Sequence, residues 1–568
     1  MFDELTTQAA AILTKEFTLP DVSVFWQSPR ELSHGDAATN VALQVSKRLG
    51  RSPNEIAQVL ADGLSKHADV ARAEVAGAGY VNVWLTPKAL LTELNRSRSA
   101  AVAKVAGKEL KPVIVEYSQP NIAKPLGVHH ILSTVIGQCL CNLHRHAGEP
   151  VVAWNYIGDW GTQFGKLAVA FERWGKKGKE AKDYTLDELL NLYVRFHEEA
   201  PSDPTLEAHG REAFRKLEQG DRALRTFWQD VVSVSKSSLA VIYERLHVRF
   251  DTDIGESFYE DSMQAIIDEG LKKGVFTAGE GGSLIVEFPP ETGLPPYLVR
   301  KSDGATLYST RDLAQVRFRI DTYHPQNILH VVDMAQQLYF RQLFETVKML
   351  QWNATVLEHV SFGRMRFAEK GMSTRKGNIL KLEHVLDEAV RRATEVIEEH
   401  RGTIQTEDEG ALAEMMGIGA LVYGILSQNR KMDITFDWEK MLSFEGNSAP
   451  YLQYTHARAR SVLRKAGMNG ATSIPETIAV FTDAERLLIR TLLLFPSVLE
   501  DARATSMPHK LATFLYQLCQ DFNAFYTTDP ILKAQEPART LRLALTALAA
   551  TVLHTGAELL TLRLPDQM

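Results

Sequence analysis

Residues 112–157 constrain this chain more than any other stretch. They read "PVIVEY" (112–117), a loop "SQPNIAKPLGVHH", a run "HILSTVIGQCLCNLHRHAG" (130–148) and then "PVVAWNYI" (150–157). The first and last segments are short apolar strands. The middle run repeats Ile131, Val135, Ile136, Leu140 and Leu143 at helical spacing and stops at Gly148. Two strands joined through a helix can share a sheet only as a parallel pair with a right-handed crossover. "NILHVV" (327–332) is a further buried strand followed by a helical pattern. The alternation predicts an α/β fold of the Rossmann-like, doubly wound parallel-sheet type, with ligands at the carboxyl ends of the strands.

At 568 residues the chain is long enough for several domains. A small α/β unit occupies 1–105: an amphipathic helix near 3–16, turn chemistry at "SHGDAATN" and an alternating strand "GYVNVWL" at 79–85. The unit with the parallel-sheet pattern spans 106–385. A charged, helix-rich stretch at about 165–280 is inserted in it, because strand patterns resume only at "SLIVEF" and "YLVRKS". From 386 to 568 the pattern is all-α. Leu543–Leu553 is too short to cross a bilayer, the N-terminal residues show no signal peptide, and no membrane is expected. Cys139, Cys141 and Cys519 show neither metal-ligand spacing nor a disulfide framework, as in a reducing cytoplasm. A net charge of −7 excludes a general coat for nucleic acid, although the residues after Tyr451 carry a small excess of bases.

Two loops carry the chemistry. The loop ending at His130 aims backbone N–H groups and a helix N-terminus at the end of the first strand, with Lys124, His129 and His130 as further donors. That suits a polyanion, but neither G-x-x-x-x-G-K-[ST] nor G-x-G-x-x-G is present, and a plain helix cap fits the loop equally well. The second loop, "RFAEKGMSTRKGN" (366–378), places Lys370, Arg375 and Lys376 among glycines and hydroxyls. It reads either as a mobile clamp on phosphates or as a solvated surface loop.

Together these loops resemble the H-x-G-H and K-M-S-K-S signatures of class I aminoacyl-tRNA synthetases. The stretches "VEYSQPNIAKPL", "NYIGDWGTQFGKL", "VRKSDGATLYSTRDLA", "GMSTRKGN", "FDWEKMLSFEGNSAPYLQYTHARA" and "DFNAFYTTDPIL" resemble the arginyl-tRNA synthetase family in particular. "HGDAATNVAL" and "GYVNVWL" resemble that family's extra N-terminal, tRNA-contacting domain, and the tail its α-helical anticodon-binding domain. The resemblance covers nearly the whole chain in order.

The resemblance implies ATP-dependent activation of L-arginine to arginyl-adenylate and transfer to the terminal adenosine of arginine tRNA. Mg²⁺ would accompany the ATP, with no resident metal site, and the protein would act as a monomer. It implies an arginine pocket from Glu116, Ser118, Asn121, Tyr308, Asp312 and Gln336. A guanidinium is a planar fork of five donors, so such a pocket needs carboxylates and a phenol around it. Lys124, His130, Lys370 and Lys376 would be catalytic, and Gly127, His129, His130, Met372 and Ser373 would hold ATP.

The family's His-x-Gly-His falls on Gly127, Val128, His129 and His130, so only the last histidine matches. The expectation is that Gly127 frees the loop to shift, letting His129 swing towards the phosphates. The clamp has Gly371 and Thr374 where the class has lysines, and Lys124 stands where many arginyl enzymes carry a substitute. Tyr451, Tyr454, His456 and Arg458 combine aromatics and bases as unpaired RNA bases require, although aromatics at helical spacing also serve as core. The rival reading is a catalytically silent synthetase paralogue that binds tRNA or a partner protein, suggested by the altered histidine loop.

Overall fold

The computed structural model describes residues 3–568 other than 21, 30, 101–109, 305–306, 353–354, 369–379, 403, 405 and 469–472, and the side chains of 97–100 are likewise outside the description. Lys370, Met372, Ser373 and Lys376 of the clamp therefore lie outside the described residues.

The N-terminal part is an antiparallel sheet, order β1-β3-β2, of β1 (Ala37–Thr39), β2 (Val70–Ala76) and β3 (Tyr80–Leu85). Helices Asp3–Phe17, Val41–Leu49 and Pro53–Leu64 cover it, the last opened by a Ser52/Glu55 capping box with proline at its first turn. Gly35 enters β1 at φ +85°, and a Cβ there would stand 2.6 Å from the Val83 carbonyl oxygen.

β4 (Val113–Glu116) and β5 (Val151–Trp154) pair in parallel, joined by the helix His130–His146. All four residues of β4 are buried, which explains the continuous apolar run. The helix lies so close to the sheet that a Cβ on Gly137 would fall 2.2 Å from the Tyr117 ring. The insertion then supplies helices Thr162–Trp174, Leu186–Glu199, Thr205–Glu218, Arg222–Arg245 and Met263–Lys272.

"SLIVEF" and "YLVRKS" do not rejoin the parallel sheet. With β6 (Phe276–Ala278) they form a separate antiparallel sheet, as β7 (Leu284–Val286) and β8 (Tyr297–Arg300). Their alternation specifies a strand but not a partner, and a ten-residue connection carrying the 3-10 turn Pro290–Thr292 brings them together as an antiparallel pair.

β9 (Asn327–His330) and β10 (Val356–His359) complete the main sheet in the order β10-β9-β4-β5, parallel throughout. The chain winds from β4 outward to β5 and then back to β9 on the other side, so the strand order reverses between β4 and β9. Glu116 and His330, in register there, end their strands at this switch point, where an open parallel sheet leaves its crevice.

β11 (Met365–Phe367) and β12 (Ile434–Phe436) form a parallel pair, and the rest of the C-terminal part is helical: Leu382–Glu399, Glu409–Leu426, Ala449–Lys465, Asp483–Ala504, Pro508–Thr528 and Ala538–Leu559. Among the described residues, Glu409–Leu426 is the one helix long and apolar enough to cross a membrane, and 72% of that window is buried inside the protein as core.

Candidate active site

The loop after β4 bends through positive φ at Ser118 (72°), Gln119 (51°) and Ala123 (64°), a strained path fixed by its contacts. Ser118 donates its backbone N–H to Ser133 Oγ (3.0 Å), accepts from Thr134 Oγ1 (3.0 Å) and shares a hydrogen bond with the Tyr243 hydroxyl (2.8 Å). Its hydroxyl is buried and committed. Those bonds hold the loop, and in this arrangement none of them is directed at the crevice where a substrate contact was expected. Asn121, by contrast, is exposed at the crevice.

Gly127 is held on both sides. Its N–H donates to His130 Nδ1 (3.1 Å), and Leu126–Val128 pairs with residues 380–382 through Val128 N to Leu380 O (2.9 Å) and Leu382 N to Leu126 O (2.8 Å). The histidine loop is thus stitched to the end of the clamp segment, and the expected freedom of Gly127 to shift is not there. His129 lies outside this pairing. It is exposed, and its ring lies 4.0 Å from that of His130.

Burial lowers both imidazoles, His130 to about 4, with His129 adding to the shift on His130. Both are therefore neutral near pH 7. Nδ1 of His130 lies 3.1 Å from the Gly127 nitrogen and 3.2 Å from its carbonyl oxygen, so the Gly127 peptide engages Nδ1 in either tautomer and leaves Nε2 to the crevice. Lys124 is half-buried with its ammonium 5.2 Å from the Tyr193 ring.

Across the crevice, Tyr308 opens the helix Tyr308–Tyr323 and is 61% exposed. Asp312, one turn on, accepts a short hydrogen bond from the Tyr339 hydroxyl, and the Tyr339 ring lies 5.4 Å from Tyr308 and 5.7 Å from Tyr297. No ion pair to Asp312 exists among the described residues. Burial pushes its carboxyl up to about 6, against the pull of Tyr339, and the nearby Glu116 charge adds to the rise. Glu256 is pushed up to about 7 by burial, despite Arg311 at 3.5 Å, and Asp312, Asp159 and Glu260 raise it further. The Tyr156 hydroxyl is buried among these carboxylates with no partner among the described residues. Arg311 is the guanidinium already among these acids, paired with Glu260 (2.8 Å) as well as Glu256 and lowering Asp312 at longer range. Gln336, exposed at the start of helix Gln337–Met349, stands on the rim of this cup of acids and phenols.

Glu116 is placed differently from the expectation. Its carboxylate is 3% exposed. Oε2 accepts from Arg319 Nη1 in a short ion pair and from Gln315 Nε2 (2.9 Å), and Oε1 accepts from Gln119 Nε2 (2.6 Å). At most one lone pair of Oε1 is left for a substrate, so Glu116 forms the floor of the pocket rather than an open acceptor. Tyr156, Tyr339 and Glu256 stand around Asp312 without having been singled out in the sequence. Tyr156 sits in the quoted "NYIGDWGTQFGKL", but nothing in one sequence says that its hydroxyl lies beside Asp312.

Comparison with known proteins bears on the whole chain. The profile "tRNA synthetases class I (R), catalytic domain" matches residues 93–438, "Arginyl tRNA synthetase N terminal domain" matches 3–85 and "DALR anticodon binding domain" matches 452–568. The arginine–tRNA ligase of Fusobacterium nucleatum is 38% identical over 537 residues, covering 94% of this chain and 93% of that one. The chain belongs to the arginyl-tRNA synthetase family. The Clostridium perfringens arginine–tRNA ligase is 34% identical over 97% of each chain. Among solved structures, the Thermus thermophilus arginyl-tRNA synthetase superposes with a TM-score of 0.82 at 26% identity over 100% of this chain and 99% of that one. The Plasmodium falciparum enzyme gives 0.83 at 22% identity, a likeness of fold, covering 100% and 98%. The activity is class I arginine–tRNA ligation with ATP as co-substrate, and nothing supports the silent-paralogue reading.

In an arginyl-tRNA synthetase the helical C-terminal part faces RNA, and the four candidates there separate by burial. Arg458 is gripped between the rings of Tyr454 (4.7 Å) and Tyr526 (5.1 Å), Tyr526 being 42% exposed. Tyr451 is half-buried, its hydroxyl accepting from Asn523 Nδ2 (3.1 Å). His456 packs in the core. It is 3% exposed, its Nδ1 is 2.9 Å from the Pro565 carbonyl oxygen, and its ring stacks on His554. Tyr526 is the aromatic surface that sequence reading missed, although "DFNAFYTTDPIL" contains it.

Proposed function

We propose that Asp312 receives the arginine guanidinium, with Tyr156, Tyr308 and Tyr339 shaping the cup, Glu256 adding negative charge and Glu116 anchoring its floor. The observation that carries this is a partly covered carboxylate that makes no ion pair among the described residues and is pushed up to about 6 by burial, the charges of His330 and Arg311 offsetting only part of the rise. A guanidinium restores its ionised form. Citrulline would leave the carboxylate unpaired, and lysine would offer a point charge instead of a fork. Asn121 and Gln336 on the rim face the amino-acid backbone, which directs the substrate carboxylate at the histidine loop.

In this reading His130, through Nε2, His129 and Lys124 hold the ATP phosphates, joined by Lys370, Lys376, Met372 and Ser373 of the clamp. The substrate carboxylate oxygen attacks the α-phosphorus, a new O–P bond forms and pyrophosphate leaves. A ribose hydroxyl of the terminal tRNA adenosine then attacks the activated carbonyl and releases AMP. The donors at the histidine loop are nitrogens, whereas Mg²⁺ prefers oxygen, so the ion is assigned to the phosphates it arrives on. Tyr451, Tyr454, Arg458 and Tyr526 are proposed to meet the anticodon loop. A monomer in the cytoplasm fits three buried free thiols and large apolar side chains exposed singly in all parts of the chain.

The test is ATP–pyrophosphate exchange with arginine, with and without arginine tRNA. Absence of exchange in both conditions would sink the reading. Two further outcomes are expected. Binding of arginine requires Asp312 ionised, so KM for arginine is expected to be flat above pH 7 and to rise about tenfold per pH unit below about 6. Binding should then release protons, seen as a buffer-dependent calorimetric heat near pH 6. His129→Gly is expected to raise KM for ATP about tenfold, ~1.4 kcal/mol for one hydrogen bond to a charged group. Adding Gly127→His should not recover it, because position 127 is buried beneath residues 380–382.

A further inference from the structure

The turn "SHGDAATN" has no part in the site above, yet it carries one of the most completely buried charges in the protein. Asp36 is 0% exposed. Its Oδ2 accepts from the Leu85 backbone N–H (2.7 Å) within its own domain. The rest of its bonding comes from the far end of the chain. Arg486 donates Nε to Oδ1 (2.9 Å) and Nη2 to Oδ2 in a short bond, and the same Nη2 reaches the Leu85 carbonyl (2.9 Å). Arg490, one turn on and 2% exposed, has Nε 3.9 Å from Oδ1, while its Nη2 donates to the Pro29 carbonyl. A forked, buried carboxylate–guanidinium contact fixes angle as well as distance.

The network continues inward. Thr491, beside Arg490 on helix Asp483–Ala504, donates its hydroxyl to Asp521 (2.6 Å) on helix Pro508–Thr528. Two residues on, Asn523 donates to Tyr451 (3.1 Å) and accepts a short bond from Arg458. Buried polar contacts thus run from the N-terminal sheet to the aromatic face of the helical part. Helix Pro87–Ala100 packs along the same helix Asp483–Ala504, so the joint is not a point contact.

We infer that Asp36, gripped by Arg486 and Arg490, is a positioning residue that locks the N-terminal domain onto the helical C-terminal domain, so that both present their RNA-facing surfaces to one tRNA at a fixed separation. This rests on the tRNA-ligating reading above. Its benefit is effective concentration: once one surface has bound, a rigidly held second surface binds as an intramolecular event, and a swinging one does not. The glycine before Asp36 belongs to the device, since its positive φ and the close Val83 carbonyl bring the aspartate to the domain edge.

The experiment measures a distance and three Michaelis constants on the full chain. Lys66→Cys and Lys533→Cys place spin labels on exposed sites in the two domains, and the three native thiols are buried from the reagent. In Asp36→Asn the distance distribution is expected to broaden, and KM for tRNA to rise about tenfold or more while KM for arginine and for ATP stay within about twofold. An unchanged distribution overturns the inference. So does a broadened distribution with unchanged KM for tRNA, or an equal rise in all three constants, which is what general damage to the fold would give. Arg486→Lys, which keeps the charge but loses the fork, should show the same split at smaller size, and it replaces Asp36→Asn if that variant does not fold. Failure of the ligase reading is separate: the unsubstituted protein would then charge no arginine tRNA, whatever the labels report.

Discussion

Asp312→Asn is expected to lower kcat/KM for arginine by roughly a hundred- to a thousandfold, about 3–4 kcal/mol, as for loss of the charged partner of a desolvated guanidinium. Asparagine keeps the shape and can still accept from Tyr339, so the loss reports charge rather than collapse of the cup. Stability should move the other way. The Asp312 pKa is raised from 3.8 to about 6 in the folded protein, so the folded state holds a proton that the unfolded chain gives up. Stability is then lost as pH rises through that interval, and the deficit is complete above it. The variant has no proton to lose. Ligand-free thermal melts at pH 5 and pH 8 should therefore show a smaller decline for Asp312→Asn than for the unsubstituted chain, while exchange kinetics show the variant nearly inactive. A variant that is both less active and less stable at pH 8 would mean that Asp312 holds the fold instead of waiting for a ligand.

What the sequence discloses divides along physical lines. The helix from His130, the apolar strands at 113–116 and 327–330 and the helical tail follow from periodicity, which is a local property. So does the position of the crevice, because a βαβ crossover has one hand. Pairing partners are not local. β7 and β8 alternate as any half-covered strand does, and only the assembled chain shows that they pair with each other. Glu116 reads as an arginine ligand from the residue types around it, and its internal partner Arg319 is 203 positions away. Asp36 reads as turn chemistry, with its partner 450 positions away. Ser118 and His456 show a related limit: a hydroxyl or imidazole in such a stretch looks available until its protein hydrogen bonds are known. Asp312 differs in that the reading of it rests on the ion pair it does not make among the described residues.

Glu116→Gln is the substitution with the largest expected cost to stability, about 3–5 kcal/mol, because it strips the counter-ion from a buried guanidinium. The Arg319 side chain is 0% exposed, and its Nε and Nη2 have no other partner among the described residues. The Trp154 ring, 4.2 Å from the guanidinium carbon, offsets only part of that charge. Burial pushes the Glu116 carboxyl up, but Arg319 and His330 outweigh it and hold it well below the usual carboxylate range. For a depressed acid the stabilisation is fully present above the ordinary value near 4.5 and is lost only as pH falls below it. The penalty of Glu116→Gln should therefore be constant from pH 5 to 8, unlike that of Asp312. Adding Arg319→Met removes the orphaned charge and should recover most of the lost stability in urea melts of the catalytic unit. The double variant then separates two roles that the fold superimposes on one carboxylate. If Glu116 serves only as the counter-ion of Arg319, affinity for arginine returns together with stability. If its remaining lone pair also takes the substrate, stability returns and affinity does not.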